Sequence, residues 1–133
     1  MGKFVFSPAG IILLDLNFNR TRNQEFIMAA HLHPDVFDKE ADFHDQWAME
    51  TDVGTIDVKT FFTGSTAPEN RFIARHLGDV KGKKVLELGC GLGEASVYLA
   101  TQGANCIASD CSPGMLEAVR KLAAINRVEV ETA

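Results

Sequence analysis

The stretch that most constrains the fold is a short apolar segment that carries a carboxylate and then enters a loop of three glycines spaced two apart. It covers residues 85–93 and reads VLELGCGLG. Glycine at this density weakens a fold unless the backbone needs positive φ angles or a close approach by another group. A carboxylate in an apolar strand is unfavourable unless a partner meets it. The two features together predict a ligand site at the end of a buried strand.

Strand and helix patterns alternate from this segment to the end of the chain. The predicted strands are 85–88, 104–109 and 128–130, and the predicted helices are 91–101 and 112–126. Each helical crossover is long enough to join parallel strands. The pattern therefore predicts the α/β class: a Rossmann-like, doubly wound parallel sheet, of which this chain holds the first three strands.

Helices are also predicted upstream of the sheet. Residues 35–49 place Phe43 and Trp47 four apart on one helix face. Residues 66–78 place Thr66 and Glu69 at capping-box spacing, which predicts a helix start there.

These patterns divide the chain into three parts. Residues 1–30 form a leader of poorly defined structure, within which the apolar run 4–16 reads as a strand or a leader. Residues 31–82 form a helical lead-in. Residues 83–133 form the N-terminal half of an α/β domain that is expected to continue further.

Charge, apolar runs and cysteines limit the function. A net charge of −5 does not favour nucleic acid as a partner. The apolar run near the N-terminus is too short to cross a bilayer, so no membrane partner is expected. The chain has three cysteines, and their spacing is not that of a disulfide framework. This predicts reduced thiols and a cytoplasmic protein. Instead of being reduced thiols, Cys106 and Cys111 could bind zinc together with His31 or His33. The sequence has none of the paired Cys or His spacings that are typical of zinc ligands, so we predict no metal site.

Two kinds of nucleotide ligand compete for the glycine loop. Dinucleotide-binding loops have the spacing G-x-G-x-x-G, and the third glycine of that motif would fall at Glu94 in this chain. A carboxylate at that position would repel the pyrophosphate. S-adenosylmethionine has no phosphate. Its ammonium would meet Glu87, and its ribose hydroxyls would meet Asp110 at the tip of the second strand. These two acids favour S-adenosylmethionine.

Both motifs resemble those of a known enzyme family. The segments VLELGCGLGEAS and ASDCSPGML are similar to motif I and to the second-strand acidic motif of class I S-adenosylmethionine-dependent methyltransferases. The resemblance covers about residues 83–122. It implies methyl transfer from S-adenosylmethionine to an acceptor, here a small molecule by the character of the upstream segment. We assign no catalytic base.

The resemblance also implies which residues bind the cofactor. Glu87 would lie near the amino group, the glycine loop beside the methionine moiety, Asp110 at the ribose, and two further residues around the adenine. The complete set is Glu87, Gly89, Cys90, Gly91, Gly93, Asp110, Cys111 and Met115.

The chain departs from the family pattern because it stops at the third strand. The strand that should flank residues 85–88 on their other side is missing, which predicts an open sheet edge there. A second copy, a complementing chain or the run 4–16 folded back could cover that edge. A non-catalytic Rossmann-like remnant or interaction module, and a nicotinamide or flavin nucleotide enzyme, remain as alternative functions.

Overall fold

The computed structural model describes residues 3–7, 10–14 and 34–133, which include five strands in one sheet of order β1-β2-β3-β4-β5. The strands are β1 Lys3–Ser7, β2 Gly10–Leu14, β3 Lys84–Leu88, β4 Asn105–Ser109 and β5 Val130–Thr132. The helices are α1 Pro34–Glu50, α2 Val58–Thr63, α3 Pro68–Leu77, α4 Glu94–Thr101 and α5 Pro113–Ile125, with a 3-10 turn at Val53–Thr55. Strands β3, β4 and β5 are parallel and joined through α4 and α5. The predicted α/β class, a partial Rossmann-like sheet preceded by helices, is confirmed.

The free edge expected at residues 85–88 is covered in the structure, so that prediction is wrong. Strands β1 and β2 form an antiparallel hairpin, and β2 pairs antiparallel with β3. Ile12 stands opposite Glu87 in this pairing. The hairpin gives the backbone N–H and C=O groups of β3 partners that an edge strand lacks. The described part of the run 4–16, residues 4–7 and 10–14, therefore folds back onto the sheet, which was one of the predicted alternatives.

One face of the sheet carries the main core. Ile12 is fully buried there with Phe62 of α2, Ile73 and Leu77 of α3, and Val85 of β3. Burying apolar side chains of this size is the main stabilising contribution to such a fold.

The other face of the sheet is less covered. Leu86 and Ile107 are half-buried, and Leu88 is 39% exposed. Helices therefore bury one face of the parallel strands more completely than the other in the part of the chain that the structure describes.

Two predicted features of the helices differ from the structure. Helix α3 begins at Pro68 with Ala67 as its N-cap and no side-chain cap, so the capping box of Thr66 and Glu69 is wrong. Helix α4 begins at Glu94 rather than at residue 91, because the glycine loop with its positive φ angles extends to Gly93. Helix α1 packs against α5 through a different side from that of Phe43 and Trp47, which are 66% and 48% exposed.

The start of β5 also differs from its prediction. The strand begins at Val130 rather than at residue 128. Arg127 has a φ of 56°, and the Val128 N–H donates to the Ala123 carbonyl, so the exit from α5 takes up the intervening residues. This C-terminal exit bond is typical of helix ends.

The described residues include no helix with the length and apolar character needed to cross a membrane. The cysteines are free thiols, of which Cys90 and Cys106 are buried and Cys111 is exposed. The cytoplasmic location stays a prediction.

Candidate functional site

The glycine loop lies where β3 and β4 both end. Gly89, Gly91 and Gly93 have φ angles of 69°, 53° and 84°. The N–H groups of Gly89 and Cys90 donate to the Ser109 carbonyl at 2.8 and 3.0 Å, which ties the loop to the end of β4. The loop therefore occupies the edge of the sheet at which α/β proteins bind ligands.

Gly93 and Gly91 have different roles in the loop. A methyl group added at Gly93 would lie 2.6 Å from a Cγ atom of Val119, so this glycine lets the loop pack directly on α5. A methyl group added at Gly91 would meet no atom within 4 Å. Gly91 therefore borders open space, which a ligand can approach.

Glu87 is buried near the end of β3, and only one of its two carboxylate oxygens is hydrogen-bonded within the described residues. The side chain is 1% exposed. Its Oε2 accepts hydrogen bonds from the Ser96 hydroxyl at 2.6 Å and the Ser96 N–H at 3.1 Å. Its Oε1 is buried and has no hydrogen-bond partner among the described residues. Burial raises the pKa of Glu87 to about 7, against the lowering effect of the Ser96 bonds.

Asp110 connects the loop to the start of α5. Its Oδ2 accepts from the Gly91 N–H at 2.9 Å, and its Oδ1 accepts from the Ser112 N–H at 3.0 Å. A carboxylate offers about four lone-pair positions, so each oxygen can accept a further bond. Asp110 is only half-buried, which leaves it within reach of a ligand.

The remaining predicted site residues differ in accessibility. Cys90 is buried, its Sγ contacts the Gly91 carbonyl at 3.6 Å, and burial raises the pKa of its thiol. Cys111 is exposed beside Asp110. Met115 is fully buried in a cluster with Leu92, so its side chain serves as core in this structure. Its contact with adenine stays a prediction, and that contact would require the Met115 side chain to become accessible to a ligand.

The site is acidic. Glu94, in the first turn of α4, is half-buried and burial raises its pKa. The negative charges of Glu94 and Asp110 add to the rise of the Glu87 pKa. Three carboxylates at one loop favour a cationic group and disfavour a pyrophosphate. Residues 34–133 and the two described strands before them contain no group of His, Cys, Asp and Glu side chains that could hold a metal ion, while His31 and His33 lie outside the described residues.

Sequence reasoning missed two residues of this site. Ser96 supplies both hydrogen bonds to Glu87, and no sequence pattern pairs a strand carboxylate with a hydroxyl in the following helix. Asp45 of α1 accepts hydrogen bonds from the Ser112 hydroxyl and the Gly114 N–H. A glycine in the first turn of α5 was the available signal that another element approaches there closely.

Comparisons with known proteins find similarity to methyltransferases. A family model described as "Methyltransferase domain" matches residues 85–133. Demethylmenaquinone methyltransferase of Clavibacter sepedonicus is 45% identical over 56 residues, which are 41% of this chain and 23% of that protein. Chloroplastic tocopherol O-methyltransferase of Arabidopsis thaliana is 32% identical over 103 residues, which are 75% of this chain and 27% of that protein.

The chain spans about a quarter of the length of these two curated relatives. No solved structure matches it.

Proposed function

Because the chain belongs, through residues 85–133, to the family of S-adenosylmethionine-dependent methyltransferases, we propose that it binds S-adenosylmethionine at the glycine loop 89–93. The methyl group would pass to a small-molecule acceptor. The observation that carries the proposal is the buried Oε1 of Glu87, which has no partner among the described residues and belongs to the strand that leads into the glycine loop. A buried carboxylate oxygen without a donor is unfavourable, and the cofactor's ammonium is a donor of the right charge.

The residues around the loop fit this cofactor in three further respects. Gly91 borders open space, so the backbone can pass close to a ligand. Asp110 has lone pairs left for the ribose hydroxyls, since each of its oxygens accepts one bond from a backbone N–H. Glu94 occupies the position at which a dinucleotide loop needs glycine.

The demands on the protein's own residues are modest. When bound, S-adenosylmethionine supplies a methyl group on a positively charged sulfur. The loop and the two acids would hold it in one orientation, and positioning of this kind accounts for a large part of such rate enhancements. No described residue is assigned as a general base.

The names of the two relatives support the choice of acceptor class. One is named for demethylmenaquinone and the other for tocopherol, both small molecules. We propose a quinone-like or tocopherol-like acceptor. The division into a leader 1–30, a lead-in 31–82 and an α/β part 83–133 is part of this proposal.

A titration with S-adenosylhomocysteine and NAD tests the cofactor. We expect S-adenosylhomocysteine to bind in isothermal calorimetry and NAD to give no heat beyond dilution, because the acidic loop repels a pyrophosphate. Binding of NAD with no response to S-adenosylhomocysteine would replace the proposal by a nucleotide-binding function. No heat from either ligand would favour a non-catalytic remnant.

Two glycines form a matched pair for locating the site. Gly91 and Gly82 both have positive φ, 53° and 72°, and an added methyl group at either would meet no atom within 4 Å. Gly91→Ala and Gly82→Ala should therefore cost similar stability, about 1–2 kcal/mol each. Only Gly91→Ala should weaken S-adenosylhomocysteine, by about tenfold, because a loss of about 1.4 kcal/mol at the contact gives that factor. Equal affinities of the two variants would place the ligand elsewhere.

A further inference from the structure

Asp45 caps a helix that is distant from it in sequence. The Asp45 Oδ1 accepts hydrogen bonds from the Ser112 hydroxyl and, at 2.8 Å, from the Gly114 N–H. The Ser112 hydroxyl in turn accepts from the Met115 N–H at 3.0 Å. Two orphan amides of the first turn of α5 are thus satisfied, one by its own N-cap and one by a side chain of α1.

The close approach of α1 to α5 depends on Gly114. A methyl group added there would lie 2.8 Å from the Asp45 Oδ1 and 3.1 Å from the Asp45 Cα. The second distance involves backbone, so a rotamer change of Asp45 could not relieve it. The absence of a side chain at Gly114 therefore lets α1 pack on the start of α5.

The contacts of Asp45 lead directly to the cofactor loop. The Ser112 N–H donates to one oxygen of Asp110, and the Gly91 N–H donates to the other. Ser112 therefore donates two hydrogen bonds, one from its hydroxyl to Asp45 and one from its backbone N–H to Asp110. A continuous chain of hydrogen bonds runs from α1, through Ser112 and Asp110, to the glycine loop.

We infer that Asp45 is a positioning residue, which fastens α1 to the N-terminus of α5 and thereby fixes Asp110 and the glycine loop in the geometry that receives the cofactor. Such a chain of bonds is the physical connection that coupling between a helix and a site requires. The inference rests on the proposed function for its binding measurement. A second measurement, on the position of α1, is independent of any ligand.

Trp47 provides that second measurement. It is the single tryptophan of the chain, it lies two residues from Asp45 on α1, and it is 48% exposed. A helix of 17 residues is marginal in water on its own, so loss of the α1–α5 contact should fray α1 and expose the covered half of Trp47, which shifts its emission. Far-UV circular dichroism reports separately whether the chain is folded.

The central comparison uses two substitutions of Asp45 and one control on the same helix. Asp45→Ala should shift the Trp47 emission to longer wavelength and weaken S-adenosylhomocysteine about fivefold, the factor that loss of an average cap gives. Asp45→Asn should restore both readings, because its amide oxygen can accept the same two bonds. Asp42→Ala removes the same charge from an exposed position of α1 and should change neither reading.

Gly114→Ala separates positioning from stability. Alanine favours a helix over glycine by about 1 kcal/mol, which offsets part of the cost of displacing α1, so this variant should stay folded. Its methyl group should nevertheless push α1 away, which shifts the Trp47 emission and weakens S-adenosylhomocysteine.

Three outcomes would overturn the inference. The first is unchanged emission and affinity in Asp45→Ala. The second is an Asp45→Asn variant as weak as Asp45→Ala, which would mean that charge rather than the hydrogen bonds matters. The third is undiminished affinity in Gly114→Ala, which also decides the case if Asp45→Ala fails to fold. If the unaltered chain binds no S-adenosylhomocysteine, the proposed function fails, and the Trp47 emission still shows whether Asp45 fastens α1.

Discussion

Asp110→Ala is expected to weaken S-adenosylhomocysteine by about 100-fold or more while the chain stays folded. Two ribose hydroxyls donating to a carboxylate contribute about 1.5–3 kcal/mol each, and a loss of about 3 kcal/mol exceeds a factor of 100. The carboxylate is half-buried, and each of its oxygens accepts one backbone bond, so lone pairs remain for both hydroxyls. Calorimetric titration of the variant measures the loss.

The same substitution also removes two bonds within the protein. The N–H groups of Gly91 and Ser112 lose their acceptor, which should lower the free energy of unfolding by about 1–2 kcal/mol. The start of α5 should persist, because the Ser112 hydroxyl still accepts from the Met115 N–H. Urea unfolding measures this second effect.

Asp57 offers a matched control for Asp110. Its carboxylate also accepts two backbone bonds, from the Lys59 and Thr60 N–H groups, at the start of α2. Asp57→Ala should therefore lower stability by a similar amount without any change in affinity. If Asp110→Ala kept full affinity and lost stability like Asp57→Ala, Asp110 would be a structural cap and no part of a ribose site.

The local features of the site could be predicted from sequence because their signals lie within a few residues. The apolar run before the glycine loop predicted β3, which spans Lys84–Leu88. The pair Ser112 and Pro113 predicted the start of α5, where the Ser112 hydroxyl caps the helix. A strand that ends in a glycine loop also placed the site at the carboxyl edge of the sheet.

The features that were missed depend on contacts between distant residues. Asp45 and Ser112 are 67 positions apart, and no local pattern shows that α1 reaches the start of α5. The pairing of β2 with β3 joins segments separated by the whole helical lead-in, so the edge of β3 appeared open from sequence. Local propensity also misplaced the start of α3, where Pro68 in the first turn, rather than the Thr66 side chain, begins the helix.

The hairpin explains why Glu87 is more deeply buried than a strand-end acid on an open edge. Ile12 of β2 stands opposite Glu87, and its side chain is fully buried. Paired residues of an antiparallel ladder project from the same face, so Ile12 helps to exclude water from the carboxylate. The raised pKa of Glu87 is thus a consequence of a long-range pairing as well as of the loop itself.

Glu87→Gln is expected to stabilise the chain at pH 8 and to weaken the cofactor. The pKa of Glu87 is about 7 in the folded chain against an ordinary value of 4.5, with burial as the main cause. The folded state therefore binds the proton more tightly than the unfolded state. The contribution of Glu87 to stability is fully present below about pH 4.5 and is lost as the pH rises to about 7, by about 3 kcal/mol in total. Glutamine imitates the protonated carboxyl and should remove this loss.

Urea unfolding at pH 5 and pH 8 measures the difference between the two proteins. At pH 8 the variant should be more stable by up to about 3 kcal/mol, and at pH 5 the difference should shrink to about 1 kcal/mol, because the unfolded carboxyl is already partly ionised there. The neighbouring groups Glu94, Asp110, Cys90 and Cys106 are the same in both proteins, so the comparison isolates the substitution at Glu87. Equal stability at both pH values would mean that Glu87 carries no penalty in its ionised form.

Binding should move in the opposite direction to stability. An ammonium that donates to the ionised carboxylate contributes about 1.5–3 kcal/mol, so Glu87→Gln should weaken S-adenosylhomocysteine about 10- to 100-fold at pH 8. In the unaltered chain the affinity should rise with pH up to about 7, and in the variant it should stay nearly constant. Glu94→Gln removes a neighbouring charge and should have a smaller effect, because Glu94 is only half-buried. A Glu87→Gln variant that is more stable and binds as tightly as the unaltered chain would show that the unpaired Oε1 receives no cofactor.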